Sequence, residues 1–280
     1  MSASLTLDTA TAGVDLDAYF RRIAFRGKPA PTLATLREIQ ALHAEAIPFE
    51  NLSAFIGEEI SLDVGALERK LVHGGRGGWC FEQNTLFAHE LRAIGFELKT
   101  LSARVRWNVA PDVQRPRSHM VLLVQTDQGP HLADVGFGGL TLSAPLRFES
   151  GLVQDTLHET FRIEQAGDDH MLEVHIADNW VPMYRFDLRE SILPDYEVSN
   201  WYLSHHPESP FVVGITAARN EPGKRHALRN RRYTVHRRGA PSESREIETI
   251  EELKQVLAGP LRIRLPESPA LDRRLATLFA

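Results

Sequence analysis

Cysteine is almost missing from this sequence: Cys80 stands alone in 280 residues. A sole cysteine excludes an intramolecular disulfide and a cysteine-rich zinc site. Long apolar runs are missing too, and none approaches the roughly 18 residues of a membrane span. Met1 to Asp8 has neither the basic nor the long apolar region of a signal peptide. An unpaired thiol without an export signal points to a reducing cytoplasm. Neither sign of charge dominates: 32 Lys and Arg stand against 37 Asp and Glu, a net charge of −5. That balance gives no reason to expect nucleic acid or an anionic membrane as the main partner. There is no HExxH, CxxC or GxSxG, no internal repeat and no low-complexity tract. Gly74 to Gly78 is not followed by the Lys-Ser/Thr of a P-loop, and Val135-Gly136-Phe137-Gly138-Gly139 misses the GxGxxG spacing. His205 and His206 lack an acidic or cysteine partner at ligand spacing, so no metal is expected.

What is there reads as an ordinary globular protein, 42% hydrophobic and 25% charged, long enough for one large domain or two to three small ones. Residues 1 to about 14 are small and polar and read as disordered. Asp15-Leu16-Asp17 caps a helix carrying Tyr19, Phe20, Ile23 and Phe25. Leu33 to Ile47 shows a helical apolar stripe ended by Pro48. Asn51 to Phe55 reads as a short connection, and Asp63 to Leu71 as a third helix. His73-Gly74-Gly75-Arg76-Gly77-Gly78 is too glycine-rich for an element interior. Phe81, Leu86, Phe87, Leu91 and Ile94 then recur at helical spacing up to Gly95. Beyond it the period changes to two. Glu97 to Trp107, His119 to Val124 and His131 to Val135 predict strands, as do segments near 144–149, 159–165, 170–177 and 181–188. Asp195 to His206 predicts a helix, Phe211 to Thr216 and Tyr233 to Arg237 predict strands, and Thr249 to Leu257 and Ala270 to Phe279 predict helices. Helices, then antiparallel strands, then a mixed tail argue for an α+β fold.

Cys80 falls where a flexible turn enters a helix. There the exposed N–H groups and the positive end of the dipole favour a thiolate. A cysteine nucleophile needs a base and a group to orient that base. His119 opens one expected strand and Asp134 ends the next. A turn at Gly129 makes the two antiparallel and brings both residues to one edge. A buried carboxylate in Leu132-Ala133-Asp134-Val135 needs a partner, and His119 is the obvious one. Each residue alone has a structural reading; the combination favours catalysis. The basic segment Lys224 to Arg238 reads as a solvated hairpin, with a polyphosphate or nucleic-acid site as the alternative.

Arg76-Gly77-Gly78-Trp79-Cys80-Phe81-Glu82-Gln83-Asn84 resembles the active-site signature of the arylamine N-acetyltransferases. Pro48-Phe49-Glu50-Asn51-Leu52, Ser118-His119-Met120, Asp134 to Gly139 and Asp195 to Tyr202 resemble further landmarks of that family in the same order. The resemblance runs from about Asp17 to about Ala218. It implies an N-terminal helical bundle (1–95), a central antiparallel β-barrel (96–205) and a C-terminal α/β lid (206–280), with a core like that of cysteine proteases. It carries the triad onto Cys80, His119 and Asp134.

It also implies acetyl-CoA as acyl donor, and arylamines, arylhydrazines and N-hydroxyarylamines as acceptors in xenobiotic metabolism, by a monomer or homodimer. Gly138 and Gly139, with Phe137, are the expected cofactor contacts, and the basic segment is a candidate for the CoA phosphates. Phe137, Phe211 and Trp79 are the expected acceptor contacts. Trp79 stands where many relatives have tyrosine and Thr85 where many have glycine, so acceptor preference can differ. Thiolate attack on the thioester, loss of CoA and aminolysis of acetyl-Cys80 imply ping-pong kinetics. The alternatives are a macrolactam-forming amide synthase using the same triad, a cysteine peptidase, and a non-catalytic ligand-binding protein with a degenerate site.

Overall fold

The computed structural model describes residues 14–280, so the reading of the first stretch as disordered lies outside the described residues. The Asp15 carboxylate accepts from the Ala18 N–H and starts α1 (Leu16–Ile23). Thr32 does the same for α2 (Leu33–Ala46). After β1 (Phe49–Glu50) comes α3 (Leu52–Ile56), where the sequence suggested only a connection. Five residues are too few to show an apolar period, and its end is marked by Gly57 in the left-handed conformation. Asp63 caps α4 (Val64–Leu67), which runs on as a π-helical turn over Glu68–His73. The central helix is α5 (Cys80–Ile94), closed by Gly95 at φ 105°. It is buried on nearly every side along its first nine residues. A helix buried all round belongs to the interior of a larger body.

Eight strands follow: β2 (Leu98–Val105), β3 (His119–Thr126), β4 (Gly129–Ala133), β5 (Leu146–Arg147), β6 (Gln154–Asp155), β7 (Thr160–Ala166), β8 (Asp169–Ile176) and β9 (Asn179–Glu190). They form one antiparallel sheet in the order β5-β4-β3-β2-β9-β8-β7-β6. Its two edges meet through a side chain. The Gln154 amide accepts from the Arg147 N–H at 2.7 Å and donates to the Arg147 carbonyl at 3.0 Å. The sheet is thus a nearly closed barrel, and the bridge satisfies backbone groups that an open edge leaves bare. The apolar run in β3 follows from this architecture. Met120, Leu122 and Val124 pack into the core around α5, while Val121 and Leu123 pack inside the barrel. A strand covered on both faces has no polar face to alternate with.

The last third holds α6 (Leu193–His205), α7 (Pro210–Val213), β10 (Thr216–Glu221), β11 (Lys224–Arg229), β12 (Arg232–Arg237), β13 (Glu243–Glu246), α8 (Ile250–Ala258) and α9 (Pro269–Ala276). The strand expected over Phe211–Thr216 is instead α7, and the strand starts at Thr216. Ser209 caps this helix and Pro210 takes its first position, a pairing that favours a helical start over β structure. The second sheet runs β1-β10-β11-β12-β13, so it borrows β1 from the N-terminal third. Leu52 and Phe55 of α3 likewise join the core of the last third. Among the described residues no helix is long and apolar enough to cross a membrane.

One group in the core of α5 is unusual. Glu90 is fully buried, and neither carboxyl oxygen has a hydrogen-bond partner among the described residues. Burial, then the charges of Glu68 and Asp15, push its pKa up to about 8. Between the unfolded value near 4.3 and 8 the native state binds the extra proton, so stability falls as pH rises through that window and then levels. The isosteric Glu90→Gln should therefore be neutral near pH 4. It should become progressively stabilising towards pH 8, by at most about 1.4 kcal/mol per pH unit. Urea unfolding of both proteins across that range checks it; a pH-independent difference would defeat the assignment.

Candidate active site

The turn before α5 is fixed by crowding. A Cβ on Gly77 would lie 2.0 Å from the Pro48 carbonyl oxygen, so only glycine lets this segment lie against Pro48–Glu50. Backbone bonds join the two stretches: Gly78 donates to Pro48 at 3.3 Å, and Glu50 donates to Gly78 at 3.1 Å. Arg76 pairs with buried Glu50 at 2.8 Å. Burial raises the Glu50 carboxyl, but the Arg76 charge and hydrogen bond bring it below its ordinary range. Gln83, one turn into α5, donates to the carbonyls of Pro48 and Gly78. Its oxygen accepts from His43 Nε2 at 2.7 Å, and His43 Nδ1 accepts from the Tyr19 hydroxyl at 2.8 Å. Burial pushes His43 down to about 4, so the ring is neutral, as these two bonds require.

Cys80 is the first residue of α5 and is buried. Its thiol lies 3.6 Å from the Ser118 carbonyl. The first N–H groups of a helix have no intrahelical acceptor, so the thiol sits beside unspent donors. His119 follows Ser118 at the start of β3, with Nε2 2.7 Å from Asp134 Oδ2. That leaves Nδ1 for the thiol. Burial lowers the imidazole, but the charge and hydrogen bond of Asp134, joined by Cys80, carry it up to about 10. Burial raises Asp134, yet His119, Asn84 and the Gly136 N–H hold it below the carboxylate range.

Asn84 is one turn after Cys80. Its amide donates to Asp134 Oδ1 at 2.9 Å and to the Met120 carbonyl at 2.7 Å, and its oxygen accepts from the Val135 N–H at 3.0 Å. The sequence reading assigned Asn84 no role, although the spacing i, i+4 from Cys80 placed it on the same face. Tyr184 of β9 was not legible at all. Its ring is 4.9 Å from His119, and burial, then Asp134, push its phenol well up.

The other expected site residues divide into two groups. Phe137 stands edge-on to His119 at 5.2 Å, and Gly138, at φ 85°, packs on the Phe49 ring. Phe211 lies 5.2 Å from Trp79 and 6.3 Å from Phe49. Trp79 is 1% exposed, and its indole N–H donates to Asn200 of α6 at 3.0 Å. A narrow crevice runs behind the loop between Val135, Gly138, Phe49 and Asn220. The basic segment is the β11–β12 hairpin, and much of its charge is paired. Lys224 pairs with Glu221, Arg237 with Glu243 and Arg238 with Asp155, while Arg225 and His226 are buried. Among the described residues no group of three or more His, Cys, Asp or Glu could hold a metal. The arrangement can form a thiolate–imidazolium pair in a site walled by aromatic rings, which is suited to acyl transfer.

The N-acetyltransferase family model matches residues 32–270. The arylamine N-acetyltransferase of Mycolicibacterium smegmatis is 44% identical over 236 residues, 83% of this chain and 86% of its own. A Salmonella typhimurium protein named arylamine N-acetyltransferase / N-hydroxyarylamine O-acetyltransferase is 38% identical over 243 residues, 86% of each. The Mycobacterium marinum arylamine N-acetyltransferase in complex with CoA superposes with a TM-score of 0.91 at 36% identity, covering 94% of this chain and 99% of that one.

At Gly136 the loop after β4 lies hard against the start of α5. A Cβ there would lie 2.6 Å from Cys80 Cα and 2.9 Å from Asn84 Nδ2. Gly136→Ala must push α5 away from the end of β4, at a cost of roughly 1–3 kcal/mol. It should also slow alkylation of Cys80 by iodoacetamide, because the thiol moves off His119. Urea midpoints and alkylation rates check both effects, and wild-type values for the two would show that the contact does not matter.

Proposed function

The chain belongs to the arylamine N-acetyltransferase family of acyltransferases, and from that premise we propose that it moves acetyl from acetyl-CoA to arylamines through an acetyl-Cys80 intermediate. The observation that carries this reading is the buried His119–Asp134 pair beside a lone thiol at a helix start. In the resting thiolate–imidazolium pair His119 already holds the Cys80 proton, and the thiolate attacks the thioester carbonyl. The N–H groups at the start of α5 face the oxyanion that forms. The bond to CoA sulfur then breaks, CoA leaves with the proton from His119, and acetyl-Cys80 remains. An arylamine nitrogen attacks that acetyl carbon and gives its proton to His119. The amide departs and the thiolate–imidazolium pair is restored. Donor and acceptor use the cleft in turn, which makes the kinetics ping-pong.

Phe137 offers its face to the aromatic acceptor, with Phe211 and Trp79 further along the wall, and Gly138 and Gly139 leave room for the pantetheine arm. Arylhydrazines present a comparable nucleophilic nitrogen. The name of the Salmonella relative supports O-acetylation of N-hydroxyarylamines as well. A nucleophilic thiol needs a reducing compartment, and we place the enzyme in the cytoplasm.

The test is mass spectrometry after mixing with acetyl-CoA and no acceptor. Wild type should carry one acetyl group on Cys80, lost on adding aniline, whereas Cys80→Ala should carry none and turn over no substrate. An unacetylated wild type would sink the mechanism, and is the outcome an amide synthase specific for carrier-bound chains would give.

A further inference from the structure

The loop over residues 134–145 joins β4 to β5 with no helix or strand of its own, yet most of it is buried. Buried carbonyls need partners. Here three of the four consecutive carbonyls from 139 to 142 are taken by side chains from other elements. Gly139 accepts from the Arg225 guanidinium. Thr141 accepts from the Asn220 amide at 3.3 Å, and Leu142 from the Gln40 amide at 3.1 Å. These side chains come from β11, β10 and α2, and all three are buried. Arg225 reaches further, since its second nitrogen lies 2.5 Å from Glu159, just before β7. One planar group therefore joins the lid sheet, the loop and the barrel rim. Gly139 faces open space where a Cβ would sit, with nothing within 4 Å, so no side-chain packing is available there to fix the loop. The same loop carries Phe137 against His119 and Gly138 against Phe49.

We propose that Arg225 is a positioning residue for the acyl-transfer cleft: by holding the Gly139 carbonyl, flanked by Asn220 and Gln40, it sets the wall made by Phe137 and Gly138. This rests on the acetyl-transfer reading above. Arg225 touches neither Cys80 nor His119 and acts only through where the loop lies. Lysine cannot replace it fully, because one ammonium does not serve a carbonyl and a carboxylate in the fixed directions of a guanidinium fork.

The experiment is steady-state kinetics of wild type, Arg225→Met and Arg225→Lys with acetyl-CoA and aniline, beside iodoacetamide alkylation of Cys80. Arg225→Met should be alkylated within about twofold of wild type while KM for acetyl-CoA or aniline rises about tenfold or more and kcat falls less, with Arg225→Lys recovering only part. Unchanged KM values in Arg225→Met, or alkylation falling in step with kcat/KM, would overturn the inference. Where Arg225→Met does not fold, Asn220→Ala leaves the Arg225–Glu159 pair intact and removes the neighbouring grip. It should raise KM in the same direction by less, and an unchanged KM there also overturns the proposal. A wild type that takes no acetyl from acetyl-CoA removes the functional reading and this inference with it. An active wild type beside an unaltered Arg225→Met removes this inference alone.

Discussion

Asp134 is a carboxylate without access to water, and the donors that satisfy it come from separate parts of the chain. His119 Nε2 reaches it from β3 at 2.7 Å, Asn84 from α5 at 2.9 Å, and the Gly136 N–H from the following loop at 2.8 Å. Removing one partner of such a buried pair typically costs about 3–5 kcal/mol, because the other charge is left uncompensated. Helix, strand and loop are therefore tied at the point where α5 brings Cys80 beside His119. The glycine at 136 follows from the same demand, since the loop must pass against the Cys80 backbone to donate to Asp134.

Around that knot the molecule builds two supports of different kinds. The helical side is held by backbone proximity and a neutral polar chain, Tyr19–His43–Gln83, running from α1 through α2 to α5. It keeps the start of α5 against Pro48 and Gly78, so Cys80 cannot drift. The lid side is held by cationic and amide side chains gripping carbonyls. The apolar cores of barrel and lid are separate clusters; the grips of Asn220, Arg225 and Arg238 on Thr141, Gly139 and Thr156 bridge them. Directional bonds fix position more narrowly than apolar contact does, which suits the role proposed for this loop as a wall of the cleft.

Legibility in the sequence divides along the same line. Helices with a long apolar stripe, such as α2 and α5, were legible, as was the β3–β4 hairpin, because its turn and its apolar runs are local. The pairing of His119 with Asp134 followed from that hairpin. The two short helices α3 and α7 were not legible, since four or five residues carry no period. Strand β10 was hidden, and the expected hairpin holding β11 read as solvated, because buried Arg219, Asn220, Arg225 and His226 occupy positions where alternation expects apolar residues. Arg219, Asn220 and Arg225 hold carbonyls or a carboxylate on distant segments, while His226 bonds to nearby Tyr233 and Glu221. Contacts such as Arg225 to Gly139, 86 residues apart, leave no mark on local pattern.

The His119–Asp134 pair, the proposed base and its orienter, also sets the pH range over which the site holds together. The pKa of His119 is raised by folding, so its contribution to stability is complete below the unfolded value near 6.5 and falls away progressively as pH rises from there to about 10. Asp134 is depressed by folding, so its contribution is present above the unfolded value near 3.9 and disappears as pH falls through the lower native one. Between those bounds the imidazolium and the carboxylate both remain charged and paired. The proposed catalytic base is thus kept in place by the same electrostatic bond that makes its burial tolerable. Asn84 and Gly136 matter because they satisfy the oxygen of Asp134 that His119 does not use.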